Sequence, residues 1–240
     1  MATQAKHARI DEEALRRAAR SVRHPLARAL LALTFTTGLV DTVSYLGLGH
    51  VFTANMTGNI VLLGFGLAGS RGLPVLAPLL SLGSFLLGAV AGGLIAKRIG
   101  DSHRRHIAVA LVIEFCLIAV AAALAAVVAV HPQSVSGDVV ITLLALAMGV
   151  RNATVRRIGV PDLTTAVLTL TLTGLAADSP LAGGSGTGST RRTAAVLGML
   201  AGALCGALLL KTSIVLPLAA AAGLALLTWL VYVPAARRAT

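Results

Sequence analysis

Few side chains in this sequence can do chemistry, and most of them stand among apolar residues. The stretch FTANMTGNIV, residues 52–61, carries Asn55 and Asn59 beside Thr53 and Thr57. Carboxamides and hydroxyls recognise other groups by hydrogen bonding. In a helix, Asn55 and Asn59 would share one face, where with Thr57 they would line a path for a small solute. Hydrogen bonding between helices is the alternative use. Asp41 lies a little upstream. A carboxylate at the centre of a bilayer costs about 2.5–3.5 kcal/mol on insertion scales, so such a residue faces the bundle interior and marks a functional position. It could carry a coupling proton, or pair with Asn152 or Arg151. A second Thr-rich segment holds Thr165, Thr169 and Thr173 at helical i, i+4 spacing. Threonine hydroxyls can equally bond to their own helix backbone.

Covalent and metal chemistry find no footing. There is no HExxH, no GxSxG and no catalytic pair of carboxylates. GGSGTGST (183–190) lacks the Lys-Ser or Lys-Thr of a phosphate loop and reads as a flexible linker. Cys116 and Cys205 fall in apolar runs and read as packing residues. No His/Cys cluster suggests a metal, and neither a metal nor a cofactor is expected. Asp162 after Pro161 suits a helix N-cap, and Glu114 could pair with an arginine or snorkel.

The elements that must hold these residues follow from composition. The 240 residues are 56% hydrophobic and 12% charged, with mean hydropathy +0.87, against about 45–50% apolar and about 25% charged in soluble domains. Several runs approach or exceed the roughly 20 apolar residues that cross a bilayer. The alternation of an outer-membrane barrel is absent. The fold class is therefore all-α, a polytopic membrane helix bundle. Eight apolar segments are predicted, at 26–48, 51–69, 73–96, 107–130, 138–155, 162–178, 193–210 and 213–233. The N-terminal stretch 1–25 reads as a basic cytoplasmic segment leaning on lipid headgroups. It lacks the short apolar core of a cleavable signal. Residues 234–240 read as a cytoplasmic tail.

The segments form two sets of four, residues 26–130 and 138–233, joined by a neutral external loop at 131–137. At an offset of 111 rising to 114, Gly38 meets Gly149, Asp41 meets Asn152, and Thr53 meets Thr164. Ser84, Gly88 and Gly92 then meet Gly198, Gly202 and Gly206. These small residues let helices approach closely, either between the halves or between protomers of a homo-oligomer.

Charge decides how many segments cross. If all eight cross from a cytoplasmic N-terminus, many basic residues fall on the wrong face. If the second segment of each half enters without crossing, all but Arg71 and Lys211 of the 20 basic residues become cytoplasmic. Three crossings per half make the repeats inverted, with a short polar membrane-embedded segment in each and its break near Gly58-Asn59. Arg151, Arg156 and Arg157 then read chiefly as topology signals. Seven or eight crossings remain the alternative, because 162–178 nearly spans as a straight helix. The net charge of +11 is accounted for by these clusters, and no nucleic-acid partner is expected.

TGLVDTVSYLGLGHVFTANMTGNIVLLG (37–64) and GVRNATVRRIGVPDLTTAVLTLTLTGLAADS (149–179) resemble the two signature stretches of the YoaK family, over about 26–233. That resemblance implies a multi-pass bacterial inner-membrane protein and carries no substrate. The residues favour a transporter or channel for a small solute, lined by Asp41, Asn55, Thr57, Asn59, Asn152, Thr165, Thr169 and Thr173. A membrane scaffold or assembly factor is the alternative, and a lipid-modifying enzyme fits least. The 3% aromatic content argues against an aromatic cage.

Overall fold

A computed structural model describes residues 25–70, 72–100, 102–158 and 168–238. The basic N-terminal segment, Arg71, Asp162 and Thr165 lie outside the described residues. Eight α-helices appear among them, and no strand. They are α1 (Pro25–Thr42), α2 (Met56–Leu67), α3 (Leu76–Ile99), α4 (His103–Val127), α5 (Val135–Ile158), α6 (Leu168–Ala177), α7 (Ser189–Leu210) and α8 (Val215–Arg238). A π-helical turn, Val43–Gly47, extends α1. Six are long and apolar enough to cross a membrane: α1 with its π turn, α3, α4, α5, α7 and α8.

The shorter helices among the described residues are α2, with 12 residues, and α6, with 10 described residues. At 1.5 Å per residue α2 reaches about 18 Å, well short of a hydrocarbon core of about 30 Å. The first half therefore pairs three long helices with one short one. The break in the first half comes earlier than expected. Gly58 and Asn59 are inside α2, and the non-helical chain runs from Leu48 to Asn55. The reason is local. Gly49 and His50 take positive φ values of 101° and 61°, which reverses the chain after the π turn. Asn55 then caps α2, its Oδ1 accepting from Gly58 N–H at 3.2 Å.

Two apolar clusters stack along the bundle. One joins Leu26, Leu30 and Leu33 of α1 to Ile107 and Leu111 of α4, Val155 and Ile158 of α5, Ala195 of α7 and Tyr232 of α8. The other joins Val40 and Val43 of α1 to Ala77 of α3, Ile118 of α4, Ile141 and Leu144 of α5, and Leu218 of α8. The start of α1 thus meets the end of α5, and the starts of α4 and α7 meet the end of α8. Helix directions alternate accordingly, and α1 runs opposite to α5. The basic ends of α3, α4 and α5, with Lys97, Arg98, Arg104, Arg105, Arg156 and Arg157, gather around the first cluster. His106 of α4 ties this end together through a 2.9 Å bond to the carbonyl of Ala96 on α3.

α1 and α5 are central. α3 and α7 lie outside and turn large side chains such as Leu86, Leu94, Leu197 and Leu204 outward, the expected character of a lipid-facing surface. α3 packs on α5 and α7 on α1. Gly88 and Gly92 face Leu146 and Val150 of α5, while Gly202 and Gly206 face Phe35 and Leu39 of α1. Ser84 is buried in the same face of α3. Gly198 is looser, with Leu31 O at 3.8 Å from a notional Cβ. The small residues therefore sit where the first half of the chain meets the second.

Candidate functional site

Asp41 is placed by the last turn of α1, just before the backbone widens into the π turn. It is 6% exposed. Its Oδ1 accepts the N–H groups of Thr53 at 3.1 Å and Ala54 at 2.9 Å. These amides belong to the non-helical chain before α2, which would otherwise leave them bare in an apolar interior. Its second oxygen, Oδ2, has no hydrogen bond from the described residues.

Asp41 lines a cavity of about 500 Å³. Thr37, Gly38, Thr42 and Tyr45 come from the α1 side, Phe52, Ala54 and Asn55 from the broken stretch, and Leu168 and Thr169 from the start of α6. Met199, Ala203 and Ala207 of α7 complete the described wall. A second hollow of about 650 Å³ shares Tyr45, Phe52, Asn55 and Thr169 with the first and adds Thr57 and Leu170. The starts of both short helices thus border one polar region. Tyr45 and Phe52 stack at its edge, with ring centres 4.8 Å apart.

The other residues singled out from the sequence divide. Asn59 is fully buried and faces away from the cavity. Its Oδ1 accepts from Phe52 N–H at 2.9 Å, and its Nδ2 donates to Phe52 O at 2.6 Å and to Ser81 Oγ at 3.1 Å. It clamps the broken chain to α2 and α3, as Asp41 clamps it to α1 from the other side. Asn55 and Asn59 share no lining face, because Asn55 caps the helix that Asn59 sits in. Replacing Asn59 with leucine should leave Phe52 N–H without a partner and cost about 1–3 kcal/mol. Asn55→Ala should cost about 1 kcal/mol as a lost N-cap. Unfolding midpoints in detergent would rank the two.

Asn152 is half-buried and donates to Met148 O of its own helix at 2.9 Å. It does not line either hollow. Thr173 is exposed and bonds back to Thr169 O at 2.9 Å. The buried residue of α6 is Thr171, and of the described members of the i, i+4 stripe Thr169 borders the cavity while Thr173 does not. Cys116 and Cys205 are free.

Arg151 departs most from expectation. It is 2% exposed, deep in the bundle, and is no loop charge. Nη2 lies 3.2 Å from Glu114 Oε1. Nη1 donates to Leu33 O at 2.5 Å and to Thr37 Oγ1 at 3.0 Å. Arg156 and Arg157, one turn on, are exposed at the helix end. Thr37 also lines the cavity, so a polar chain runs from Glu114 through Arg151 to the cavity wall. Sequence reading left out Thr37, Tyr45, Phe52 and Ser81. Two aromatic rings, Tyr45 upstream and Phe52 opening FTANMTGN, were the available signal.

The sequence profile of a family described as protein of unknown function (DUF1275) matches residues 29–231. A relative from Bacillus subtilis (strain 168), described as UPF0700 transmembrane protein YoaK, is 36% identical over 153 residues. That match spans 62% of this chain and 65% of the relative. No solved structure matches.

Proposed function

We propose that this chain, which belongs to the DUF1275 family of proteins of unknown function, moves a small solute across the membrane through the cavity beside Asp41. The observation carrying this reading is that Asp41, the cap of α2 and the start of α6 border a single cavity within a six-helix apolar bundle. Unwound backbone at membrane depth belongs next to a protein-covered or water-filled space. Transporters built from inverted repeats place their sites there.

We read the two halves as such repeats. Supporting this, α1–α7 and α3–α5 are equivalent pairs under exchange of halves. Their closest approaches, Gly38 on Met199 and Gly149 on Phe85, Gly202 on Phe35 and Gly88 on Leu146, keep the sequence offsets of 111 and 114. The basic helix ends support a cytoplasmic face at that end of the bundle, and with it a cytoplasmic N-terminus; the inner membrane of a bacterium is the location this reading takes.

An uptake screen of small metabolites and ions in proteoliposomes tests the reading. Asp41→Asn keeps an acceptor for Thr53 and Ala54 but removes the charge, and uptake should fall about tenfold, the weight of one charge-assisted hydrogen bond. Uptake of every entering solute at the parent rate in Asp41→Asn would refute the site.

A further inference from the structure

The cavity holds a charge that nothing in its described wall balances. Asp41 Oδ2 has no partner among the described residues, and the side chain is more than nine-tenths buried. Arg151 is close enough to attract Asp41 through space, but its guanidinium contacts go to Glu114, Leu33 O and Thr37. No lysine or arginine lies among the described lining residues. A carboxylate held this way favours a cationic occupant.

The rest of the wall narrows the class. A bare metal ion such as sodium needs several oxygens around it. Here Thr37 Oγ1 already accepts from Arg151 and Asn55 Oδ1 from Gly58 N–H, which leaves few side-chain oxygens, those of Asp41, Thr42 and Thr169 among them, to surround such an ion. Most of the remaining wall is apolar or aromatic: Ala54, Met199, Ala203 and Ala207, with the stacked rings of Tyr45 and Phe52. About 500 Å³ suits a small organic molecule. Aromatic rings beside a carboxylate attract an ammonium group. Low aromatic content does not count against this, because two of the chain's eight aromatic side chains stand at this wall.

We infer that the Asp41 cavity binds a small organic ammonium ion, its charged nitrogen on Asp41 Oδ2 and its alkyl part against Tyr45, Phe52 and the alanines of α7. This rests on the cavity being the working site, but it concerns binding and needs no transport.

Binding to the full chain in lipid nanodiscs is the test, by calorimetry or thermal shift. The probes are butylammonium and tetramethylammonium, with butanol and butyrate as size-matched neutral and anionic controls, and sodium chloride alone. The ammonium probes should bind saturably, and butanol, butyrate and sodium should not. Asp41→Asn should weaken ammonium binding at least tenfold, and Phe52→Leu about fivefold. Phe52→Leu leaves the Asp41 contacts in place, which guards against misfolding of the first variant. Equal binding of butanol or butyrate, a sodium-only response, or unchanged binding in a folded Asp41→Asn would overturn the inference. Uptake of a neutral solute that still depends on Asp41 would then leave the transport reading standing.

Discussion

Replacing Arg151 with methionine should cost about 3–5 kcal/mol of stability, the typical penalty for removing one partner of a buried ion pair. Glu114 is fully buried and its second oxygen, Oε2, has no hydrogen-bond partner among the described residues, so among those residues Arg151 balances its charge. The same substitution unties Leu33 O and Thr37 from α5. Glu114→Gln should cost less, since a neutral amide leaves no bare charge. The informative variant is Glu114→Gln with Arg151→Met. Its cost should fall well below the sum of the two single effects, because neither charge is then stranded. The coupling would appear in unfolding midpoints of the protein in detergent or bicelles. Additive penalties would mean that the pair is water-exposed in the membrane. Because Thr37 lines the cavity, the Arg151 variant should also weaken any ligand response there.

Enlarging the glycine seams should be nearly as damaging. A methyl on Gly88 would overlap the carbonyl oxygen of Leu146, and one on Gly202 that of Phe35. Backbone cannot rotate away as a side chain can, so the helices must separate. Overpacking of this kind costs about 1–3 kcal/mol per site, and Gly88→Ala with Gly202→Ala should add, since they lie on different seams. The structure supplies its own controls. Gly83 and Gly93 have nothing within 4 Å of a notional Cβ. Alanine there should be neutral or stabilising by up to about 1 kcal/mol, from helix propensity. Gly198→Ala should behave like these, although it shares a small-residue face with Gly202. Thermal unfolding and the fraction running as a single species on gel filtration would separate the classes. Equal tolerance at Gly88 and Gly93 would contradict the seams.

Much of the architecture was legible because the bilayer leaves few choices. Apolar length anticipated the helices long enough to cross a membrane, six among the described residues, and the positions of Arg98, Arg105 and Arg157 favoured the same number over eight. Small-residue spacing also picked out Gly88, Gly92, Gly202 and Gly206, which meet neighbouring helices closely. The site was less legible. Asn59 looked like a lining residue because polarity alone cannot tell a solute's partner from a backbone clamp. The difference lies in Phe52, whose amide and carbonyl are freed by a chain reversal at Gly49-His50. Arg151 read chiefly as a topology signal because it shortly precedes Arg156 and Arg157. Only the packing of α4 on α5 brings Glu114 to it. Tyr45 and Phe52 were passed over because their meaning comes from the π turn, which hydropathy does not reveal.

The seams also determine what can pivot. Gly88 locks α3 to α5, and Gly202 locks α7 to α1, so each rigid body takes one helix from either half of the chain. A rocking motion that preserves those interlocks cannot swing residues 26–130 against 138–233. It must instead shear the α1–α7 unit past the α3–α5 unit, with α4 and α8 as the gliding contact between them.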